Sequence, residues 1–251
     1  MAKQKGIFKV QGSIGDASFS KGQDGYRVRE KSGISAEAFS KGEAFTRTRE
    51  NAAEFGRAGK AGKLLRQSIR VILKNAKDGR VTSRLTREMM KVVKSDTVND
   101  RGMRTAAAGD VELLKGFEFN IDAVLNTVFF APYAVEMDRA SGKNVIAIEP
   151  FTPTKALVAP EGSTHFTIVC AVVEADFNAE TTVEVEAFSD TLAINNELVP
   201  AITLTTEVTA NSIHPIFVIL GIQYAQVVNG KSYPLKTSRY NALSIVEVSG
   251  A

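Results

Sequence analysis

Residues 46–94, TRTRENAAEFGRAGKAGKLLRQSIRVILKNAKDGRVTSRLTREMMKVVK, divide the chain into two unlike parts. Before them lies an extended, glycine-rich stretch, and after them a stretch rich in strand-forming residues. From Lys63 onward Leu65, Ile69, Ile72 and Ala76 recur at helical spacing, which predicts one apolar face. Lys63, Arg66, Arg70, Lys74 and Lys77 fall on another face. Asp78-Gly79 is read as the stop, with the glycine at the C-cap. Ser83 is read as the cap of a second helix, with Leu85, Met89, Val92 and Val93 as its apolar stripe. Arg84, Arg87, Lys91 and Lys94 form its basic stripe, and with the basic residues of the first helix they are read as one basic face.

The first helix is expected to begin near Thr46 to Glu50 and to run through Gly56, Gly59 and Gly62. Each glycine costs a helix about 1 kcal/mol relative to alanine. Small residues on one face let a second backbone approach closely, which offsets that cost. The alternative is a loop, with the helix starting only at Lys60.

Upstream, Ile7 to Val10 reads as a strand, and Gly12, Gly15 and Asp16 as a turn. Ala17–Lys21 and Gly25–Glu30 flank the turn signal Gly22-Gln23-Asp24-Gly25. Tyr26, Val28 and Glu30 alternate with Arg27, Arg29 and Lys31, the period of a strand with one basic face. An isolated hairpin is marginal in water. This piece must pack on its own body or add to the sheet of another chain. Phe19, Tyr26, Arg27, Val28 and Arg29 are the candidate residues of such an assembly arm. Phe19-Ser20-Lys21-Gly22 and Arg27-x-Arg29-Glu30 also recur as Phe39-Ser40-Lys41-Gly42 and Arg47-x-Arg49-Glu50. Two copies do not make a repeat architecture.

Downstream of residue 120 the composition changes. All seven prolines lie from Pro132 to Pro234. Strand signals follow at 144–149, 165–177, 181–193, 201–209, 216–228, 232–236 and 242–248, and Asn229-Gly230 is a strong hairpin turn. The expected fold is α+β: an N-terminal β-hairpin arm (1–45), a basic two-helix segment (46–120) and a C-terminal antiparallel β-sandwich (121–251).

Charge separates along the chain. Residues 1–110 carry 24 Lys and Arg against 12 Asp and Glu, and the remainder carries 7 against 16. A basic half and an acidic half suit head-to-tail contacts between copies, and a basic face also suits nucleic acid. The nine basic residues of the two helices are thus read as a subunit contact, a nucleic-acid surface or a solvated helix face. Interleaved aromatics for base stacking are missing from them.

No cofactor, metal or catalytic constellation emerges. Gly62-Lys63 lacks the remainder of a phosphate loop: Arg57 stands where glycine is needed and Leu64 where Ser or Thr is needed. His165, Cys170 and His214 are the only soft metal ligands, and His165 and Cys170 fall on opposite faces of a predicted strand. No Gly-x-Ser-x-Gly is present, and no small-molecule substrate is indicated. Glu184 and Glu186 share a strand face. No secretory signal is readable and no run approaches 18 apolar residues, so cytoplasmic synthesis without membrane insertion is expected.

Four segments taken together carry a resemblance. They are Gly15-Asp16-x-x-Phe19-x-Lys21-x-x-Asp24-Gly25-Tyr26-x-Val28-Arg29, Arg47-Thr48-Arg49-Glu50-Asn51-x-x-Glu54-Phe55-Gly56, Ala61 to Arg66, and Gly116-Phe117-Glu118-Phe119-Asn120. They resemble an uncharacterised family of bacterial proteins associated with Bacteroidota. The resemblance covers roughly the first 120 residues and implies no activity. The expectation is a non-enzymatic, self-assembling structural subunit of a filament, tube or virus-like shell. The alternative is a nucleic-acid-binding protein using residues 63–94.

Overall fold

The structure is a computed structural model that describes residues 2–23, 25–30, 36–235 and 240–250. It mixes helices with antiparallel sheets and divides into two compact units, Met1–Arg49 and Glu50–Ala251.

In the first unit β1 (Ala2–Lys3), β2 (Gly12–Ile14), β3 (Ala17–Gly22) and β4 (Gly25–Glu30) form one sheet in the order β1-β4-β3-β2. The predicted hairpin is therefore the centre of a four-stranded sheet. Asp24 of its turn and Lys31 of its expected basic face lie outside the described residues. The strand expected at Ile7–Val10 is not formed. Its backbone joins no ladder, and Gln4 instead uses its side chain to bond Val10. Helix α1 (Ala36–Lys41) and a 3-10 turn (Glu43–Phe45) follow. The repeated words thus take two conformations. Phe19 to Gly22 is strand, while Phe39 to Lys41 is helix. Gln23-Asp24-Gly25 permits a reversal, whereas Glu43-Ala44-Phe45 favours helix.

Helix α2 (Thr46–Ser68) runs unbroken through all three glycines, so the loop alternative fails. Its buried stripe is Glu54, Ala58, Ala61, Gly62 and Leu65. A Cβ on Gly62 would lie 3.5 Å from Leu85 and 3.6 Å from Met89, so only this glycine admits the neighbouring helix. Gly56 and Gly59 face open space. Gly56→Ala is therefore expected to stabilise the protein by about 0.5–1 kcal/mol, read as a raised melting midpoint.

The helix does not continue to Asp78. It ends at Ser68, resumes as α3 (Arg70–Leu73) and then loosens into turns. Asp78 is a buried acceptor and Gly79 keeps negative φ, so no left-handed cap forms there. The next helix, α4 (Val81–Ser95), starts before Ser83, whose hydroxyl donates to the Arg80 carbonyl at 2.9 Å and caps nothing.

A 3-10 turn (Val111–Leu114), α5 (Leu125–Val128), β5 (Tyr133–Asp138), β6 (Lys143–Ile148), α6 (Pro153–Ala156), β7 (His165–Asp176), β8 (Thr181–Phe188), β9 (Leu192–Ala193), β10 (Ile202–Glu207), β11 (Ile216–Val228), β12 (Lys231–Pro234) and β13 (Ala242–Ser249) complete the chain. Lys236, the last residue of one expected strand, lies outside the described residues. β5 had no counterpart in the sequence reading. β10, β6 and β5 form one sheet. In the other, the long pair β7 and β11 is central, with β8 and β9 beside β7 and β12 and β13 beside β11. Asn229 and Gly230 both take positive φ between β11 and β12, as a tight hairpin requires.

Both faces of β7 and β11 are buried, which is why each reads as a continuous apolar run. Val169, Ala171 and Val173 of β7, with Phe217 and Ile219 of β11, share one core with Leu65, Ile69, Leu85 and Met89. Ile168, Cys170 and Val172, with Val218 and Leu220, share another with Ile146, Ile148 and Leu204 of the three-stranded sheet. The boundary expected near residue 120 is therefore replaced by a core common to the helices and the sheet. A Cβ on Gly221 in β11 would lie 2.5 Å from the Ala242 carbonyl and 2.7 Å from Leu243. Gly221→Val is expected to destabilise by about 3 kcal/mol or more, measured by urea unfolding.

Candidate functional site

Two surfaces hold the residues singled out from the sequence. The first is the N-terminal sheet. Its register sets Phe19 opposite Val28, Lys21 opposite Tyr26 and Ala17 opposite Glu30. Ala17 also faces Ile14, and Val28 faces Ala2. Opposed residues share a face, so Ala2, Ile14, Ala17, Phe19, Tyr26 and Val28 form one largely apolar face. Lys3, Ser13, Ser18, Ser20, Arg27 and Arg29 form a polar, basic one. The Lys21 ammonium lies 5.7 Å from the centre of the Tyr26 ring. No described residue of this unit is buried. Ile14 is 63% exposed and Phe8 is 89% exposed. A shallow concavity of about 710 Å³ crosses the apolar face beside Ile14, Ala17 and Val28.

The second surface lies on the helices, and it is not the single basic face the periodicity suggested. Lys63, Arg70, Lys74 and Lys77 are exposed. Arg66 is half-buried, burial lowers its pKa, and its Nη1 is enclosed without a hydrogen-bond partner. Arg66, Arg70, Lys74 and Lys77 line one groove of about 640 Å³ floored by Val81 and Thr82. Among the described residues no carboxylate and no aromatic ring lines it.

Arg87, Lys91 and Lys94 border a different groove of about 750 Å³. Its floor is Thr86 and Met90, beside Phe55, which is 60% exposed. Glu88 binds both Arg87 at 3.0 Å and Lys91 at 2.5 Å. Burial pushes the Glu88 carboxyl up, but the bonds from Lys91 and Arg87 outweigh it and hold it below the usual range.

Arg84 belongs to neither groove. It pairs with buried Asp78, donates to the Glu118 carbonyl at 2.7 Å and lies 5.1 Å from the centre of the Phe117 ring. Its role is to tie α4 to the segment at 117–121.

The sequence reading missed a second buried carboxylate, Asp96. It accepts from the amides of Val98, Asn99 and Thr105 and from the Asn99 side chain. Burial raises its pKa, but these bonds dominate and bring it to about 2. A carboxyl depressed in the fold contributes stability above its unfolded pKa and loses it as pH falls through the folded value. Asp96→Ala is therefore expected to cost about 2 kcal/mol at pH 7 and progressively less from pH 4 towards pH 2, measured by urea unfolding across that range.

Chemistry-bearing residues elsewhere are dispersed. Cys170 is buried among Ile168, Val172 and Leu220, and burial pushes its thiol up to about 12. His165 meets the Thr164 hydroxyl at 2.8 Å, and His214 approaches Asp176 at 3.7 Å. Among the described residues no three His, Cys, Asp or Glu side chains are placed to share a metal ion. No helix there is long and apolar enough to cross a membrane. Buried Glu174, with Ser212 donating at 2.6 Å and the Thr209 amide at 3.2 Å, fastens the loop before β11. Arg139 donates to the Ser212 and His214 carbonyls of the same loop. The lone spacing of these residues offered no signal of that latch. No protein-family model, no curated protein and no solved structure matches this chain.

Proposed function

We propose that this protein is a non-enzymatic structural subunit that assembles with copies of itself through its N-terminal sheet. One observation carries the reading. A four-stranded sheet has a distinct apolar face, yet none of its described side chains is buried. The unit has no cysteine, and its described residues form no buried core to offset the entropy of ordering its strands. Ile14 is exposed and Phe19, Tyr26 and Val28 are half-buried, so covering them would supply that stabilisation at no more than about 1.5–3 kcal/mol for each side chain. A neighbouring copy is always available to do so, and the outer strands β1 and β2 are edges to which another strand can add. Repetition of a contact between unlike surfaces closes into a ring or shell, or runs on as a filament or tube. In this reading the sheets of residues 133–249 act as an antiparallel sandwich-like body that carries the arm.

Negative-stain electron microscopy of the purified, nuclease-treated chain tests the proposal. Regular filaments, tubes or shells are the expected result. Discrete single-copy particles at high concentration would overturn it, and binding of nucleic acid by residues 63–94 would become the leading reading.

A further inference from the structure

The groove lined by Arg66, Arg70, Lys74 and Lys77 has no occupant among the described residues. None of these four cations forms an ion pair among the described residues, and Arg66 keeps an enclosed N–H unbonded. Arg70, Lys74 and Lys77 are exposed, so the groove presents uncompensated positive charge to a partner.

A matching acidic element lies elsewhere in the chain. β8 is an edge strand: it pairs with β7, and no described strand pairs with its other side. Its register sets Glu184 opposite Val173 and Glu186 opposite Ala171, so both carboxylates stand on the helix-bearing face of the sheet. Neither forms an ion pair among the described residues. Burial, and then the adjacent Glu184, raises the pKa of Glu186, so the pair repels itself in the isolated chain.

The spacings also agree. Alternate residues of a strand lie roughly 6.8 Å apart. Arg70 opens α3, and the Lys74 amide donates to the Arg70 carbonyl at 3.2 Å, so one helical turn of roughly 6 Å separates these two cations. Two carboxylates can therefore meet two cations without distortion of either element.

Resting on the subunit reading above, we infer that strand β8 of one copy docks through Glu184 and Glu186 into the Arg66–Lys77 groove of the next. The two surfaces are different parts of the chain, so the contact is heterologous; it sets the placement of the next copy, and as a surface ion-pair contact it is too weak to hold a polymer without the arm. A nucleic-acid backbone is the rival occupant. The groove lacks an aromatic platform, and the chain itself carries a carboxylate pair at matching spacing, which favours the second copy.

The test is a charge exchange at exposed Arg70, Lys74 and Glu184 and half-buried Glu186. One variant is Arg70→Glu with Lys74→Glu, and the other is Glu184→Lys with Glu186→Lys. Both should keep the wild-type circular dichroism and melting curve. Each alone should raise the concentration needed for assembly by tenfold or more, because like charges then meet. An equimolar mixture should assemble again with the two variants alternating, since each groove then finds an opposite strand. Variants that assemble like wild type, or a mixture that fails to recover, would overturn the contact. Loss of co-purifying nucleic acid from the groove variant with assembly intact would also overturn it and assign the groove to nucleic acid. A wild-type chain that never assembles overturns the subunit reading itself, before this contact is in question.

Discussion

Removing residues 1–33 is expected to abolish assembly and leave a folded monomer. The cut removes all four strands of the N-terminal sheet and leaves the helix that begins at Ala36. Among the described residues every buried apolar side chain lies at Ala58 or beyond. The shortened chain should therefore unfold with the stability of the full chain, within about 0.5 kcal/mol. Sedimentation velocity should show one species of monomer mass at concentrations where the full chain forms polymers. A milder change sharpens the assignment. Phe19→Ser with Val28→Ser should have the same effect, because these residues are opposed on the apolar face. Ser13→Ala with Ser18→Ala, on the other face, should leave assembly unchanged. Polymers that persist in the shortened chain would refute the role of the arm.

Arg84→Ala is expected to cost about 3–5 kcal/mol, more than any other single change among the basic helical residues. The substitution leaves Asp78 buried with an unpaired charge and frees the Glu118 carbonyl. In the intact protein burial raises the Asp78 carboxyl. Bonds from the Ile121 and Arg80 amides and from Arg84 outweigh that effect and hold it below the usual range. This stabilisation is present above the unfolded pKa, about 3.9, and fades as pH falls through the lower folded value. Protonation relieves the unpaired Asp78 of the variant. The gap between wild type and Arg84→Ala should therefore narrow from pH 7 to pH 3, which urea unfolding at the two pH values measures. Asp78→Asn with Arg84→Met should be less damaging than Arg84→Ala, because no lone charge remains. By contrast, Arg70→Ala or Lys74→Ala should shift stability by less than about 0.5 kcal/mol, since both side chains are exposed.

Arg84 and Arg87 illustrate where sequence reading stops. Both sit at helical spacing on a segment rich in cations, and periodicity assigned them one face. The fold gives Arg84 a buried carboxylate and an aromatic ring, both supplied from outside its helix. Nothing local to residues 81–95 encodes that difference. The apolar stripes of α2 and α4 were legible because burial follows the 3.6-residue period. What covers those stripes was not, so the helices appeared as a segment apart from the sheet they pack on. The alternation of Phe19, Tyr26 and Val28 was equally clear, but its two outer partner strands were too short to signal themselves. β5 escaped notice because Glu136 and Asp138, residues depleted from strands, occupy its outward positions. β7 and β11 were plain, since burial on both faces makes them uninterrupted apolar runs.

Those two long strands bear on how the molecule comes into being. In the N-terminal sheet the most distant partners are Ala2 and Val28, so every pairing there closes soon after its residues leave the ribosome. β11 joins Ile216 to Glu174 and Ala225 to His165, and β13 must then close against β11. Pairing across such separations is slow. During synthesis the arm can therefore pair its strands while the body has still to collapse. In the proposed assembly, nascent neighbours would meet through the arm first, and slower β7–β11 pairing is expected to raise the share of chain lost to disordered aggregates.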